Sequence, residues 1–367
     1  MKDSAQEARA QVRPLRASVL IGLGGTGKRI LTEVRKRIIE TYDSLDRLPI
    51  VGFLTIDTDQ EKLILGEVDD LLQQKIAFSP SEEIHATVTG THKLKSEIRS
   101  YPHIHEWIDP RILELGDVQF GAKGIRALGR LAFFLNYPRI RKAFNDLVNR
   151  VSDLGNIKYM AKTHGVQVEK GVNVFTVSSL CGGTGSGMFL DLAFMVKQEL
   201  VGQEHTRLAY LVMPGIFGTD LTHATGYAAL RELNHYSMFH DFEVRWEGDP
   251  KVTVLQPPPF DYCYLINNRN SKVTFSRPND LFEMAGHDIF LEFAHEFGQY
   301  KASLKDNTGA QAASTDKLGA PLNYMSMGLA SICFPRDRVI SACAHRLAGA
   351  AVDWWLSVSP DTDKVRE

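Results

Sequence analysis

Two glycine-rich stretches carry the residue types best suited to cradling phosphate: Gly22-Leu-Gly-Gly-Thr-Gly27 and Cys181-Gly-Gly-Thr-Gly-Ser-Gly187. Glycine permits positive φ and close backbone approach, so successive N–H groups can converge on one anion. A helix that begins at such a stretch adds the partial positive charge of its N-terminus. Gly121-Ala-Lys-Gly-Ile-Arg126 contributes two cations, Lys123 and Arg126. Cations of this kind stabilise the negative charge that develops in phosphoryl transfer, although most lysines and arginines are merely solvated. Asp57-Thr-Asp59 offers two carboxylates that could orient metal-bound water or simply shape a turn.

Each of these segments falls where a strand should end or a helix begin. Ala17–Ile21 reads as a strand, and Ile30, Leu31, Val34, Ile38 and Ile39 recur at helical spacing. Ile50–Ile56 reads as a second strand, which completes one βαβ unit of a parallel sheet. Further strands are expected at Val172–Val177, Arg207–Met213, Asp261–Ile266 and Met325–Phe334. Helices are expected from Gly121 to about Val151, at Met188–Leu200, at 222–243, at Asp280–Tyr300 and at 336–357. Residues 1–16 read as a flexible polar arm, and the polar, irregular stretch 66–120 as an insertion with small helices. In an open α/β sheet, turns of this kind crowd the carboxyl ends of the strands, where ligands bind.

Taken alone, the first glycine stretch admits three readings. Gly22-x-Gly24-x-x-Gly27 with Asp57 fits a dinucleotide fingerprint, and so an NAD-dependent oxidoreductase. Gly22-x-x-x-x-Gly27-Lys28 approaches a P-loop, but Arg29 stands where the magnesium-binding Ser or Thr belongs. A plain strand-to-helix turn is the third. The second stretch separates them, because neither nucleotide scheme requires it. It resembles the G-G-G-T-G-[ST]-G phosphate loop of the tubulin/FtsZ superfamily at six of seven positions, with Cys181 replacing the first glycine. Ile21–Gly27 resembles that family's first glycine loop, and Phe53–Asp59 resembles the FtsZ strand ending in N-T-D. Gly121–Arg130 falls where the family has its γ-phosphate loop, and Met213–Asp220 where its sugar-contacting loop ends in an acid. The resemblance runs from about residue 17 to 300.

The resemblance implies a Rossmann-like three-layer α/β sandwich with a parallel sheet, a long core helix and a short C-terminal extension. It implies a guanine nucleotide, GTP or GDP, with magnesium beside GTP. Gly182, Gly183, Thr184, Gly185, Ser186 and Gly187 would wrap the α- and β-phosphates, and Gly24, Gly25 and Thr26 would line their other side. Asp57, Gly121, Lys123 and Gly124 would lie toward the γ-phosphate, Asp220 at the ribose, and Asn270 and Asp288 at the base. His287 departs from the family's usual residue there. Catalytic acids should follow the long helix, but the N-x-D-x-x-[DE] pattern is missing from 305–317, which leaves Asp306 and Asp316 as substitutes. The function implied is a slow GTPase stimulated by self-association into dimers or filaments. The alternative is a non-polymerising switch or scaffold for a partner protein, as the likeness to bacterial tubulin-like proteins allows. Residues 301–367 are expected to be a reduced C-terminal extension or the start of a truncated second domain.

Composition agrees with a globular chain. Of 367 residues 44% are apolar, and 42 basic against 44 acidic residues give a net charge of −2. That balance offers no basic surface for nucleic acid. No run of 18 apolar residues or signal-peptide core suggests a membrane or secreted protein. The scattered cysteines Cys181, Cys263, Cys333 and Cys343 favour a reducing, cytoplasmic setting. His103 and His105 share a spacing that could bind metal, but no third ligand stands near them in sequence.

Overall fold

The apolar run after Leu15 feeds two cores by alternation: Val19, Ile21 and Leu23 point to one face of a sheet and Leu20 to the other. A strand buried on both faces belongs in the middle of a parallel sheet. The computed structural model describes residues 14–60, 76–238, 240–294, 323–327 and 336–357. Its strands are β1 (Pro14–Leu23), β2 (Val51–Asp57), β3 (Glu83–His85), β4 (Gln167–Ser179) and β5 (His205–Val212), then β6 (Phe242–Val244), β7 (Thr253–Leu255), β8 (Tyr262–Ile266) and β9 (Tyr324–Met325). Seven of them form one parallel sheet in the order β3-β2-β1-β4-β5-β8-β9, while β6 and β7 make a separate antiparallel hairpin.

The helices are α1 (Gly24–Tyr42), α2 (Thr91–Ser96), α3 (Pro102–His105), α4 (Arg126–Val151), α5 (Leu154–His164), α6 (Gly183–Glu199), α7 (Asp220–Ser237), α8 (Pro278–Ala294) and α9 (Arg336–Ser357). One face of the sheet is covered by α4, α6 and α7, the other by α1 and α8. The result is the expected three-layer α/β sandwich. The long helix α8 buries Leu281, Phe282, Ala285, Ile289, Phe290 and Phe293. It crosses α1 so closely that a Cβ on Gly286 would lie 2.6 Å from Glu33 Cβ. The chain divides into two units, one ending at Met327 and one beginning at Gly328, and α9 is the described part of the second.

Several boundaries differ from the sequence expectation. Residues 14–16, read as part of an arm, pair with Gln167–Glu169 and lengthen β1; Arg16 bridges to Glu169 and Glu204. Of the stretch 66–120, read as an insertion with small helices, residues 76–120 are described; they carry the short helices α2 and α3 and pack into the domain. They supply β3 beside β2, and Ile84, Val88, Leu94, Ile104 and Leu113 enter the same core as α4. Their apolar residues complete another element's face and so show no period of their own. The helix expected at 222–243 ends at Ser237, because Phe242 and Val244 turn inward with Glu243 outward as a strand. Phe242 stacks on Phe194 at 4.2 Å. Residues 295–300 of the long helix and 328–334 of the last expected strand lie outside the described residues.

Candidate functional site

The chain leaves β1 into α1 on one face of the sheet and leaves the neighbouring β4 into α6 on the other. Such a reversal opens a crevice at the carboxyl ends of the two strands, where α/β sheets bind ligands. Both glycine stretches stand there, and each folds into the first turn of its helix rather than preceding it: α1 starts at Gly24 and α6 at Gly183. The two turns adjoin, since a Cβ on Gly24 would lie 3.4 Å from Thr184 Cβ. Gly24 itself has φ +66, a backbone conformation that favours glycine. The segment after β2 joins them through Thr58, whose Oγ1 is 2.6 Å from Thr184 Oγ1. The Gly121 segment closes the ring: Gly121 N–H donates to the Thr58 carbonyl at 3.1 Å, and a Cβ on Gly183 would lie 2.8 Å from the Ala122 carbonyl oxygen.

Three helix N-termini lie at this crevice. The residues preceding α1, α4 and α6 are Leu23, Ile125 and Gly182; none caps its helix by a side chain, and none of these helices has an acid in its first turn. Among the other helices α2 and α3 also lack a cap from the preceding side chain, whereas α5 and α7 have one. Asp153 accepts from Gly155 and Asn156 at the start of α5, and Thr219 and Thr222 form a capping box on α7. The N-terminal turns of α1, α4 and α6 thus bring positive dipole ends together, with the Asp57 and Asp59 carboxylates beside Gly25 and Gly121. Two positions there have open space: Gly182 has no atom within 4 Å of a Cβ placed on it, and the nearest to Gly25 is Asp57 Oδ2 at 4.0 Å.

A family model described as tubulin-like matches residues 19–353. The chain belongs to this tubulin-like family. No curated protein matches it in sequence. Among solved structures, the tubulin-like chain is similar to CetZ2 from Haloferax volcanii in a GTPγS-bound protofilament, at 16% identity over 76% of this chain, with a TM-score of 0.42. It is also similar to FtsZ from M. jannaschii, at 14% identity over 79% and a TM-score of 0.38. TubZ of Clostridium botulinum phage c-st gives 13% identity over 76% and a TM-score of 0.35. The tubulin-like chain spans 58%, 56% and 59% of those three chains.

Within the crevice the sequence-selected residues divide by environment. Gly182 and Gly25 are exposed. Gly183, Gly185 and Gly187 instead face protein: a Cβ on Gly185 would lie 2.3 Å from Ser178 Oγ, and one on Gly187 would lie 2.2 Å from the Arg126 carbonyl oxygen. Ser186 returns its hydroxyl to the Gly182 carbonyl. Thr26 is half-buried in the first turn of α1. Asp57 is largely buried, and burial raises its pKa against the opposing N–H groups of Asp59 and Thr58.

The cations near the Gly121 segment are engaged. Lys123, at φ +51, donates from Nζ to the Leu115 carbonyl at 2.7 Å. Arg126 donates to the Ser186 carbonyl and pairs with Glu232 of α7. Lys28, the lysine of the P-loop-like reading, pairs with Glu83 at 2.5 Å. Behind the first turn of α6 lies a cavity of about 360 Å³, lined among others by Arg126, Arg130, Asp191 and Glu232. A larger groove of about 830 Å³ involves the C-terminal end of α1 and the start of β2, not the glycine turns.

Farther along the strand ends, Asp220 is the exposed first residue of α7, and a Cβ on Gly124 would approach its neighbour Leu221 at 3.7 Å. Asn270 closes its own turn, its Oδ1 accepting from the N–H groups of Lys272 and Val273. Asp288 is 1% exposed and accepts from the Tyr210 hydroxyl at 3.1 Å, so its carboxylate faces the sheet. Asp306 and Asp316 lie outside the described residues. His103 sits between Glu247 and Arg245, and no group of three His, Cys, Asp or Glu forms a metal site among the described residues. Also among the described residues, no helix is long and apolar enough to cross a membrane.

Sequence reasoning missed Thr58 and His85. His85 Nε2 is 3.2 Å from the Thr58 carbonyl and its Nδ1 is 2.8 Å from Gln60 Nε2. Thr58 is the middle residue of Asp57-Thr-Asp59, read there only for its two acids, and His85 belongs to no motif. Only the pairing of β3 with β2, and of Thr58 with Thr184, reveals them.

Proposed function

We propose that the protein binds a guanine nucleotide, GTP or GDP, with its phosphates at the crevice between β1 and β4. The observation that carries this reading is the meeting of three helix N-termini without side-chain caps at the open positions Gly25 and Gly182. Membership of the tubulin-like family supports guanine over adenine. Gly24, Gly25, Thr26, Gly182, Gly183 and Thr184 would hold the α- and β-phosphates, with Gly121 and Gly124 toward the γ-phosphate and Asp220 toward the ribose. Asp57 and Asp59 suit a hydrated magnesium ion, which keeps most of its waters and takes one or two carboxylates. When bound, the ion would neutralise phosphate charge. Asp57, whose Oδ2 is 4.0 Å from the Cβ position of Gly25, would hold it through water.

Hydrolysis would be slow in the isolated chain and raised by self-association that supplies an acid across an interface, from the segment of Asp306 and Asp316. The second reading is a non-polymerising switch that offers a nucleotide-ordered surface to a partner. It is supported by the engagement of Lys123 and Arg126 with the protein itself. Light scattering on adding GTP separates the two.

Chromatography of nucleotide released from the denatured protein tests the common premise, together with melting curves in GTP, GDP and ATP with magnesium. A ligand at a hundredfold excess over Kd stabilises the fold by about 2.7 kcal/mol. Guanine nucleotide released, and a shift with GTP or GDP but not ATP, is the expected result. No bound nucleotide and no shift at millimolar GTP or GDP would end this reading.

A further inference from the structure

Thr58 and Thr184 place two hydroxyl oxygens 2.6 Å apart, with Thr58 0% and Thr184 8% exposed. Each hydroxyl has one proton. A contact between the two oxygens uses one of the two protons, and the second has no acceptor among the described residues. Were Thr184 to donate to Thr58, the Thr58 proton would be left orphaned in a fully buried position. The reverse polarity avoids this: Thr58 donates, and the spare O–H belongs to Thr184, in the first turn of α6 beside Gly24. Buried donors left without acceptors are costly, so the second arrangement prevails.

The backbone of Thr58 holds a second segment in place. Its carbonyl accepts from Gly121 N–H at 3.1 Å and faces His85 Nε2 at 3.2 Å. The Gln60 amide at His85 Nδ1 suits the tautomer whose Nε2–H donates to this carbonyl. One buried threonine thus ties β3, the Gly121 segment and the first turn of α6 together.

We propose that Thr58 is a positioning residue of the phosphate site. It donates its hydroxyl proton to Thr184 and so turns the Thr184 O–H toward the bound phosphate. This inference rests on the nucleotide-binding reading above.

A double-mutant cycle of Thr58→Val and Thr184→Val tests it, with binding of N-methylanthraniloyl-GDP and nucleotide-free melting both measured. Thr58→Val should weaken binding by roughly tenfold, as expected for one hydrogen bond. Thr58→Ser, which keeps the hydroxyl, should restore it. The double variant should bind no more weakly than Thr184→Val alone, because Thr58 acts through Thr184. It should also melt at or above that single variant, since two facing methyl groups replace an orphaned hydroxyl. Should Thr58→Val fold poorly, the comparison of Thr184→Val with the double variant still decides. Additive losses of binding, or full affinity in Thr58→Val, would overturn the positioning role while wild-type binding stood. Failure of the wild-type protein to bind any guanine nucleotide would remove both readings.

Discussion

Gly129 of α4 and Gly183 of α6 touch backbone to backbone: a Cβ on Gly129 would lie 2.1 Å from the Gly183 carbonyl oxygen. The first turn of α6 is therefore seated on a glycine of another helix. Backbone cannot swing aside as a flexible side chain can. Gly129→Ala should destabilise the fold by about 3 kcal/mol, at the upper end for overpacking. Urea unfolding measures this. A loss below half that size would mean that the two helices separate easily.

Gly182 provides the opposite case, an exposed position with open space around it. Gly182→Asp should leave the melting temperature of the nucleotide-free protein nearly unchanged. It should weaken nucleotide binding by at least about tenfold, because a carboxylate would then face the phosphates at short range. Equal affinity in variant and wild type would place the phosphates elsewhere. Gly185→Trp is a poorer choice, since its side chain would run into Ser178 and unfold the turn.

Asp57 should make stability and binding respond to pH in opposite ways. Burial raises its folded pKa above the ordinary 3.8. The folded chain then holds a proton that the unfolded chain has released, so this contribution is full below 3.8 and is lost as pH rises through the folded pKa. Asp57→Asn removes it. The stability of Asp57→Asn relative to wild type should therefore grow as pH rises above about 4, until the folded carboxyl has lost its proton, in urea titrations of the nucleotide-free protein. The same variant should bind magnesium–GTP more weakly. A pH-independent difference in stability would show that the carboxyl titrates normally.

Asp191 is 2% exposed and depends on two partners, Arg130 Nε at 3.0 Å and Trp246 Nε1 at 2.9 Å. Burial raises its pKa and the Arg130 charge opposes the rise. Arg130→Met would leave the carboxylate uncompensated, at a cost of about 3 kcal/mol near neutral pH. Its folded pKa would climb further, so the deficit should shrink as pH falls toward the unfolded value and the carboxyl takes up its proton. Arg130→Met combined with Asp191→Leu should recover much of the loss. A deficit equal at all pH values would assign the effect to lost packing of Arg130 on Trp107 instead.

Much of the fold was legible because its signals are local. The apolar run in β1, the stripe on α1 and the glycine turns are each contained within a few residues, and a parallel sheet with helices on both faces follows from their order. Within the stretch 66–120, read as an insertion in the domain, the strand β3 and the core residues were not legible. Ile84 through Leu113 fill gaps in a core that α4 and the sheet create, so nothing in their own spacing announces it.

The sequence by itself determined the family, the architecture and the identity of the glycine turns, since glycine runs between strand and helix are dictated by backbone sterics. Only the tertiary structure decided which of those residues stay exposed at the crevice. Gly182 and Gly25 stay open, while Gly183, Gly185 and Gly187 are consumed in close packing. It also decided that Lys123 and Arg126 bond to the protein and that Thr58 joins three segments. Apart from the Lys123–Leu115 contact, eight residues apart, those outcomes depend on contacts across tens to more than a hundred residues, which local spacing cannot encode.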